Sequence, residues 1–405
     1  MTVVPRSVLR NGLARVVTSV AWLLPKSGHI VVVGSPPEEG NAVEVARALS
    51  RRGGARIYWV DRPSVEYLRG LGFESPDEIQ PLAGGLSVRT LLVYARASVI
   101  FFTHGTYGCP APGRNQTVVN LWHGEPVKNG RLFPHRTLRR PPANYVSGSS
   151  RLLTARKAEL AGMAPSSALL TGNPRTDQFM RPPSADSLRV LGVDPTRPFV
   201  VWLPTFRVAQ AEDGSIAWSN TTDTAADAEL TSSLDATIKA LAEAGIQLIT
   251  KPHRLDYQDR SSSETVLVTD ADLEQVGIGL YQLLGASAGL ITDYSSVWVD
   301  YLQLDRPIGF HIPDIHGFSA GRGFYPSWIM ETLPGIVLDT RTAIHDFISD
   351  IQDPSASKHA AARAEAMRRL GVSAATGRAA EDLLNALEHR PSLRKRPKRR
   401  KPPRS

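Results

Sequence analysis

The sequence predicts an α/β protein in which two Rossmann-like, doubly wound domains face a central cleft. Short apolar runs alternate with helical patterns along the body of the chain, which is typical of parallel α/β units. A polar, Pro-containing stretch from Pro182 to about Pro198 divides this alternation into two series. The length of 405 residues is sufficient for two or three domains.

The first series begins with the apolar run Ile30–Val33, which closes on Gly34, followed by a helical pattern over Asn41–Arg52. Further elements follow, and the run Ser167–Leu170 is predicted to be the last strand of this half. The elements between are predicted strands at Ile57–Val60, Ser98–Phe102 and Thr117–Trp122, and predicted helices near Ser64–Leu71 and Leu86–Ala95.

The second series begins with the buried-strand pattern Phe199–Leu203, and a long helix is predicted from about Ala226 to Ala244. After the last apolar run the chain becomes helical from about Thr342 to Leu387. The elements between are predicted strands at Ile246–Thr250, Thr265–Val268, Gly289–Thr292, Ile308–Phe310 and Gly335–Leu338, and a predicted helix at Ser295–Leu304.

These patterns predict four regions. Residues 1–27 form an amphipathic N-terminal helix, 28–180 a first Rossmann-like domain and 181–388 a second one with closing helices, and 389–405 form a basic tail. Ligands of doubly wound sheets bind outside the carboxyl ends of the strands. With two such domains, we expect the site to lie in the cleft between them.

Positive charge is concentrated at the C-terminus. The formal net charge is +8, and residues 390–405 contain nine Lys or Arg and no acid. Such a run is typical of a solvated, disordered tail. It also favours binding to a polyanion, and its lack of aromatic residues favours an anionic membrane over nucleic acid. The solvated tail and the membrane-bound tail both remain open as interpretations.

The N-terminus has an amphipathic pattern. Apolar residues recur at three- and four-residue spacing from Leu9 to Leu24, with Arg10, Arg15 and Lys26 along or beside them. The helix that this predicts either lies in a membrane interface or packs on its own domain. No stretch reaches the ~20 apolar residues of a spanning helix.

Cysteine content excludes two classes of protein. The single cysteine, Cys109, rules out an intramolecular disulfide framework and a Cys-rich zinc site. This is compatible with a reducing compartment.

Two His-Gly pairs follow predicted strands of the first domain: His104 with Gly105, and His123 with Gly124. A histidine at a strand end faces the cleft, and neutral imidazole suits general-base catalysis. Gly124 lets the backbone approach a ligand closely. A structural, capping role also explains either histidine.

A turn follows the last strand of this domain, where Asn173 and Arg175 flank a proline. It is either a plain turn with a surface Arg-Asp pair or part of the cleft near the hinge. The residues after the next strands are basic, with Arg207 after one strand and Lys251 and His253 after another. Three donors on one edge indicate an anionic ligand.

The segment Thr292-Asp293-Tyr294-Ser295-Ser296 joins a predicted buried strand to a helix. Ser295 or Ser296 is a candidate N-cap, and free backbone N–H groups at a helix start bind anions. A helix cap with no ligand explains the same residues.

Together these segments resemble the CDP-glycerol glycerophosphotransferase family of teichoic acid synthesis. The resemblance runs from about Val118 to Leu338 and is strongest in LITDYSSVWVDYLQLDRPIGFHIPD at 290–314. The other similar segments are WHGEPVKNGR at 122–131, GNPRTD at 172–177, LPTFR at 203–207 and GRGFYP at 321–326.

The resemblance implies a GT-B fold and a peripheral enzyme on the cytoplasmic side of the cell membrane. It also implies that residues 28–180 are the acceptor domain and residues 181–388 the CDP-alditol donor domain. The enzyme would use CDP-glycerol or CDP-ribitol, transfer the alditol phosphate to a lipid-linked polymer acceptor and release CMP, without a metal ion or other cofactor. His123 would be the base, and Asp293 would organise its turn at the reaction centre. The implied donor-binding residues are Arg207, Lys251, His253, Thr292, Ser295 and Ser296; His104, Gly124, Asn173 and Arg175 would line the acceptor side or the cleft.

The sequence departs from the family pattern in two places. Glu125 stands where the family usually has Thr, and residues 1–117 match weakly. Two alternatives therefore remain: a GT-B glycosyltransferase that uses a nucleotide sugar in envelope polysaccharide synthesis, and a non-catalytic, membrane-associated scaffold.

Overall fold

The computed structural model describes residues 16, 18–84, 87–105, 112–128, 142–204, 209–210, 216–217, 224–252, 265–312, 315, 319 and 323–389. In these ranges the chain forms two parallel β-sheets flanked by helices, and a short antiparallel ribbon. No helix in them is long and apolar enough to cross a membrane.

Seven strands form the first sheet: β1 (Ile30–Val33), β2 (Ile57–Val60), β3 (Gln80–Leu82), β4 (Val99–Phe102), β5 (Thr117–Asn120), β6 (Tyr145–Gly148) and β7 (Ala168–Leu170). Their order is β3-β2-β1-β4-β5-β6-β7, and neighbouring strands are parallel. The central strands are rich in β-branched and aromatic residues, as expected for a sheet buried on both faces.

Between residues 28 and 180, four α-helices are described beside this sheet: α1 (Gly40–Arg52), α2 (Val65–Gly70), α3 (Val88–Arg96) and α4 (Arg151–Leu160). Ser64, Ser87 and Ser150 cap the last three by accepting backbone N–H groups. Alternate strand residues pack on opposite faces. Val32 lies in the core that includes α1, and Val31 lies in the core that includes Tyr94 of α3.

The second half contains the ribbon strands β9 (Ala209–Gln210) and β10 (Ile216–Ala217) and six sheet strands: β8 (Phe199–Leu203), β11 (Gln247–Thr250), β12 (Thr265–Leu267), β13 (Gly289–Thr292), β14 (Ile308–Phe310) and β15 (Ile336–Val337). The sheet order is β12-β11-β8-β13-β14-β15, again with parallel neighbours.

The helices of the second half are α5 (Ala185–Val190), α6 (Thr224–Glu243), α7 (Asp270–Gln275), α8 (Leu280–Ala286), α9 (Val297–Tyr301), α10 (Arg341–Gln352), α11 (Ala360–Leu370) and α12 (Ala379–Glu388). The last helix returns to the first sheet, where Leu383 and Leu387 join the core around α1. The Asp177 carboxylate caps α12 by accepting the N–H groups of Ala379 and Ala380 at 2.7 and 2.9 Å.

The predicted strands, and the predicted helices between residues 28 and 340, are confirmed with small shifts at their ends. Four strands were not predicted: β3, β6 and the ribbon strands β9 and β10. β3 contains Pro81, which an edge strand tolerates, and β6 is short and ends in Ser147-Gly148. The helical stretch expected from 342 to 387 is three helices, since Pro354 and Gly371 interrupt it.

Several expectations lie partly or wholly outside the described residues. Residues 18–23 are helical, but most of the predicted N-terminal helix, Cys109 and the basic tail 390–405 are not described. The boundary at residue 181 stays a prediction.

Candidate functional site

Each sheet has one position where the strand order reverses: between β1 and β4 in the first, and between β8 and β13 in the second. Loops after the strands diverge there and leave a crevice for ligands. His104 follows β4, and His123 follows the neighbouring β5. The Asp293–Ser296 turn follows β13.

His104 and His123 are stacked. Their ring centroids are 3.7 Å apart and their planes are inclined by 19°. The ring of Trp122, whose φ is +60°, is also stacked with that of His123, with centroids 5.7 Å apart. Both histidines are exposed at the cleft. The two histidines therefore form one polar surface at the end of the first sheet.

The pKa of His123 is lowered from 6.5 to about 3. Desolvation is the largest cause, followed by the positive charges of His104, Arg175 and Lys157, while a hydrogen bond to the Thr103 backbone carbonyl acts in the opposite direction. Desolvation also lowers the pKa of His104. The exposed edge of each ring screens these effects, but their direction leaves His123 neutral at pH 7.

Arg175 is buried and connects the two halves of the chain. Its Nη1 donates to the His123 carbonyl at 2.9 Å, and its Nε and Nη2 donate to the Asp300 carboxylate at 3.0 and 2.5 Å. Asp300 lies on α9 and is fully buried. Arg175 therefore supports the backbone of the His123 loop and does not form the predicted surface Arg-Asp pair, because Asp177 caps α12.

Asn173 is also buried and holds the other end of that loop. Its Nδ2 donates to Glu125 Oε1 at 2.8 Å and to Asp300 Oδ1 at 2.7 Å. Lys157, fully buried on α4, donates to Asn173 Oδ1 and to Glu125 Oε1, both at 3.1 Å. Glu125 is therefore the counterion of a buried lysine and does not act on the cleft side of the loop.

Gly124 lies between these two supports and touches the second domain. A Cβ atom at this position would lie 2.8 Å from Ser296 Oγ and 3.9 Å from Arg175 Nη2. The absence of a side chain at Gly124 thus permits the close approach of the His123 loop to the Asp293–Ser296 turn.

Within this turn, Asp293 Oδ1 accepts the N–H of Ser295 at 3.2 Å, and Thr292 Oγ1 donates to the Leu203 carbonyl at 2.9 Å. Ser295 Oγ accepts the N–H of Val297 at a long 3.4 Å. Ser296 occupies the N-cap position, but its side chain makes no capping hydrogen bond. Asp293 and Thr292 therefore shape the turn, while Ser296 Oγ lies beside Gly124.

Lys251 follows β11 and is largely buried, with its Nζ 2.8 Å from Asp270 Oδ1. Its charge is therefore partly balanced within the protein. Arg207 and His253, the other predicted basic donors, lie outside the described residues.

Glu39 is a site residue that the sequence did not indicate. It caps α1 by accepting the N–H groups of Asn41 and Ala42 at 2.9 and 3.3 Å, and its Oε1 lies 3.7 Å from Arg175 Nη1. Desolvation raises its pKa to about 7, while Arg175 and the two N–H groups act in the opposite direction.

Asp300, Tyr281 and Lys157 were also missed. The one usable signal was an acidic residue inside the apolar run Val297–Tyr301, which indicates a buried carboxylate with partners. No group of three or more His, Cys, Asp or Glu side chains arranged to hold a metal ion occurs in the described part of the chain.

Comparison with known proteins agrees with this architecture. A family model described as CDP-glycerol:poly(glycerophosphate) glycerophosphotransferase matches residues 22–389. The teichoic acid ribitol-phosphate primase of Bacillus spizizenii is 43% identical over 72 residues, which are 18% of this chain and 18% of that relative. The teichoic acid poly(glycerol phosphate) polymerase of Staphylococcus epidermidis is 28% identical over 244 residues, which are 55% of this chain and 32% of that relative. The chain thus matches less than a third of the length of either relative.

Solved structures share the fold. The wall teichoic acid polymerase TagF superposes with a TM-score of 0.63 and 21% identity, over 95% of this chain and 96% of that chain. A putative UDP-N-acetylglucosamine 2-epimerase from Listeria monocytogenes gives 0.53 and 12%, over 90% and 96%. These similarities confirm the predicted GT-B type of fold with two facing domains. Since the family model covers most of the sequence, the chain belongs to the CDP-glycerol:poly(glycerophosphate) glycerophosphotransferase family.

Proposed function

We propose that this protein transfers glycerol phosphate or ribitol phosphate from a CDP-activated donor to a hydroxyl of a lipid-linked acceptor, in teichoic acid or related cell-surface polymer synthesis. Family membership supports the reaction class. Two relatives are named as a ribitol-phosphate primase and a poly(glycerol phosphate) polymerase, and a TagF variant was soaked with CDPG.

The contact between Gly124 and Ser296 is the observation that carries the proposal. A Cβ atom on Gly124 would lie 2.8 Å from Ser296 Oγ, so the loop with the candidate base meets the candidate phosphate turn across the cleft. An acceptor hydroxyl near His123 and a donor phosphate near Ser296 would then be close enough to react.

In the proposed reaction, His123 accepts the proton of the acceptor hydroxyl. The hydroxyl oxygen forms a bond to the β-phosphorus of the donor while the bond from that phosphorus to the bridging oxygen breaks, and CMP leaves with the bridging oxygen. A pKa near 3 makes His123 a weak base. The anionic donor would raise this pKa, because a nearby negative charge favours imidazolium.

Several residues are proposed to hold the donor pyrophosphate, whose charge must be stabilised as CMP leaves. Asp293 would keep the turn in shape through Ser295. The donor-binding set is Arg207, Lys251, His253, Thr292, Ser295 and Ser296, and the acceptor or cleft set is His104, Gly124, Asn173 and Arg175.

A donor panel tests the proposal. The folded chain, incubated with a lipid-linked acceptor and CDP-glycerol or CDP-ribitol, should release CMP, whereas UDP- and GDP-sugars should release no nucleotide. Failure to release CMP from both donors would overturn the proposal.

His123→Gln should lower the rate of CMP release by a factor of roughly 10²–10⁴. His345→Gln is the matched control, since His345 is exposed on α10.

We also propose that the protein works on the cytoplasmic face of the membrane through a surface near its N-terminus. Trp22 and Leu23 are 56% and 84% exposed, and Val88 and Leu92 on α3 are 75% and 47% exposed. Lys26 links the two segments by donating to the Ala95 carbonyl at 2.6 Å. The exposed Arg89 and Arg96 on α3 add positive charge that complements anionic lipid.

Vesicle sedimentation tests this surface. Leu23→Ser combined with Leu92→Ser should weaken binding to vesicles of phosphatidylglycerol and phosphatidylcholine, and so should deletion of residues 390–405. Val190→Ser is the control, because Val190 is 67% exposed but lies on α5 of the second domain. If both altered proteins bind the vesicles as well as the wild type does, the proposed membrane role is wrong.

A further inference from the structure

Asp300 is a fully buried carboxylate that serves both halves of the protein. It lies on α9, which begins directly after Ser296. Its oxygens accept hydrogen bonds from Asn173 at 2.7 Å, from two nitrogens of Arg175 at 3.0 and 2.5 Å, and from the Tyr281 hydroxyl at 2.7 Å. Asn173 and Arg175 lie in the turn that follows β7, on the side of the first sheet, whereas Tyr281 lies on α8 of the second half.

The two residues from that turn hold opposite ends of one loop. Arg175 Nη1 donates to the His123 carbonyl at 2.9 Å, and Asn173 Nδ2 donates to Glu125 Oε1 at 2.8 Å. Asp300 is therefore connected through a single intermediate residue to each end of the His123–Glu125 segment.

The same helix also carries the other side of the cleft. Ser296 precedes α9, and its Oγ lies 2.8 Å from the place of a Cβ on Gly124, the middle residue of the supported segment. Asp300 therefore lies on the short chain segment that begins at the serine turn, and it is connected to the histidine loop through hydrogen bonds from Arg175 and Asn173. A buried ion pair is weak evidence for a gain in folding stability. The positions in which Asp300 holds Arg175 and Asn173 are therefore more informative than its contribution to stability.

We propose that Asp300 is a positioning residue that, through Arg175 and Asn173, sets the separation between the His123 loop and the Ser295–Ser296 turn. The inference rests on the proposed function for the reaction that this separation serves. The contacts themselves do not depend on which donor is used.

Asp300→Asn in the full-length chain tests the proposal. The amide keeps the shape of the side chain but cannot accept hydrogen bonds from all its partners. We expect kcat for CMP release per folded molecule to fall on the order of tenfold to a hundredfold, since misplacement by about 1 Å has that effect. KM for the donor should stay within about twofold, because the serine turn itself is unchanged.

Asp350→Asn is the matched control. Asp350 is also a buried aspartate on a helix, and it accepts hydrogen bonds from Ser357, Lys358 and His359 away from the cleft. This variant should lose thermal stability while keeping kcat per folded molecule. A second variant, Arg175→Lys, retains the charge but lacks the planar fork that contacts Asp300 and His123 together, so its kcat should fall as well.

Amide hydrogen exchange gives a readout that does not require activity. Asp300→Asn should speed exchange in residues 120–127, and Asp350→Asn should not. If the wild-type chain releases no CMP, the proposed function fails while the exchange result still tests the positioning role. If the folded Asp300→Asn and Arg175→Lys variants keep the kcat and the amide exchange rates of the wild type, the positioning role is wrong. A raised KM for the donor with unchanged kcat would also contradict it.

Discussion

The imidazoles of His104 and His123 lie face to face, with centroids 3.7 Å apart. This contact follows from the sheet order, because β4 and β5 are neighbours and His104 and His123 come shortly after their carboxyl ends. Two imidazoles at this distance cannot both carry a positive charge without strong repulsion, so protonation of one suppresses protonation of the other.

The stacked pair leads to a prediction about His104→Gln. Removing this ring removes one of the positive charges that lower the pKa of His123, while desolvation, the larger cause, remains. The pKa of His123 should therefore rise from about 3 but stay below 6.5. NMR titration of the His123 ring signals measures it, with His345→Gln as the control. An unchanged or lower midpoint in His104→Gln would contradict the prediction.

Glu39→Gln should change how stability depends on pH. The pKa of Glu39 is raised from 4.5 to about 7, so the folded protein holds this proton more tightly than the unfolded chain. Wild type therefore loses stability from this group as pH rises from about 4.5 to about 7, and glutamine should avoid that loss. Relative to wild type, the variant should gain roughly 1–3 kcal/mol between pH 4 and pH 8.

Urea unfolding at pH 4 and pH 8 measures this effect. Glutamine retains an oxygen that can cap α1, so the comparison between the two pH values isolates the ionisation. Glu381→Gln is the control, because this carboxylate also pairs with arginine but on the more exposed face of α12. A variant that loses stability relative to wild type between pH 4 and pH 8 would refute the assignment.

Gly124→Ala should impair donor use with little effect on folding. Its φ is not positive, so the cost is the contact of the new Cβ with Ser296 Oγ at 2.8 Å, which rotation of the serine relieves. If that hydroxyl binds the donor, kcat/KM should fall about tenfold to a hundredfold, the cost of losing a hydrogen bond to a charged group. CMP release against donor concentration measures it.

Gly105→Ala is the control for this substitution, because a Cβ there meets no atom of the described residues within 4 Å. The double variant Gly124→Ala with Ser296→Ala should be no worse than Ser296→Ala alone, since the two changes act on one contact. Additive losses would show that Gly124 acts on something other than Ser296.

The sequence predicted those parts of the site that follow from strand ends. Apolar runs gave the strands, and the rule that ligands bind beyond their carboxyl ends brought His104, His123 and Ser296 to one cleft. It did not predict Asp300 as the partner of Arg175, because a pair 125 residues apart depends on how the two domains meet. Lys157 gave no signal either, since a lysine on a helix is usually solvated.

Glu125 and Lys157 form the most deeply buried ion pair among the described residues, with the side chains of both fully excluded from solvent and 3.1 Å apart. Glu125 Oε2 has no hydrogen-bond partner among the described residues, so this carboxylate depends on Oε1 for its compensation. Lys157→Met should therefore cost about 3–5 kcal/mol of unfolding free energy, because it leaves a buried, unpaired charge.

The double variant Lys157→Met with Glu125→Gln should cost clearly less than the sum of the two single changes, because it removes both charges together. Urea unfolding of the four proteins gives the coupling free energy. Lys239→Met is the control: its pair with Glu243 is exposed at 4.0 Å, and its loss should cost no more than about 0.5 kcal/mol. A coupling near zero would mean that Asn173 and Ser147, the other acceptors of the Lys157 ammonium, compensate for its charge without Glu125.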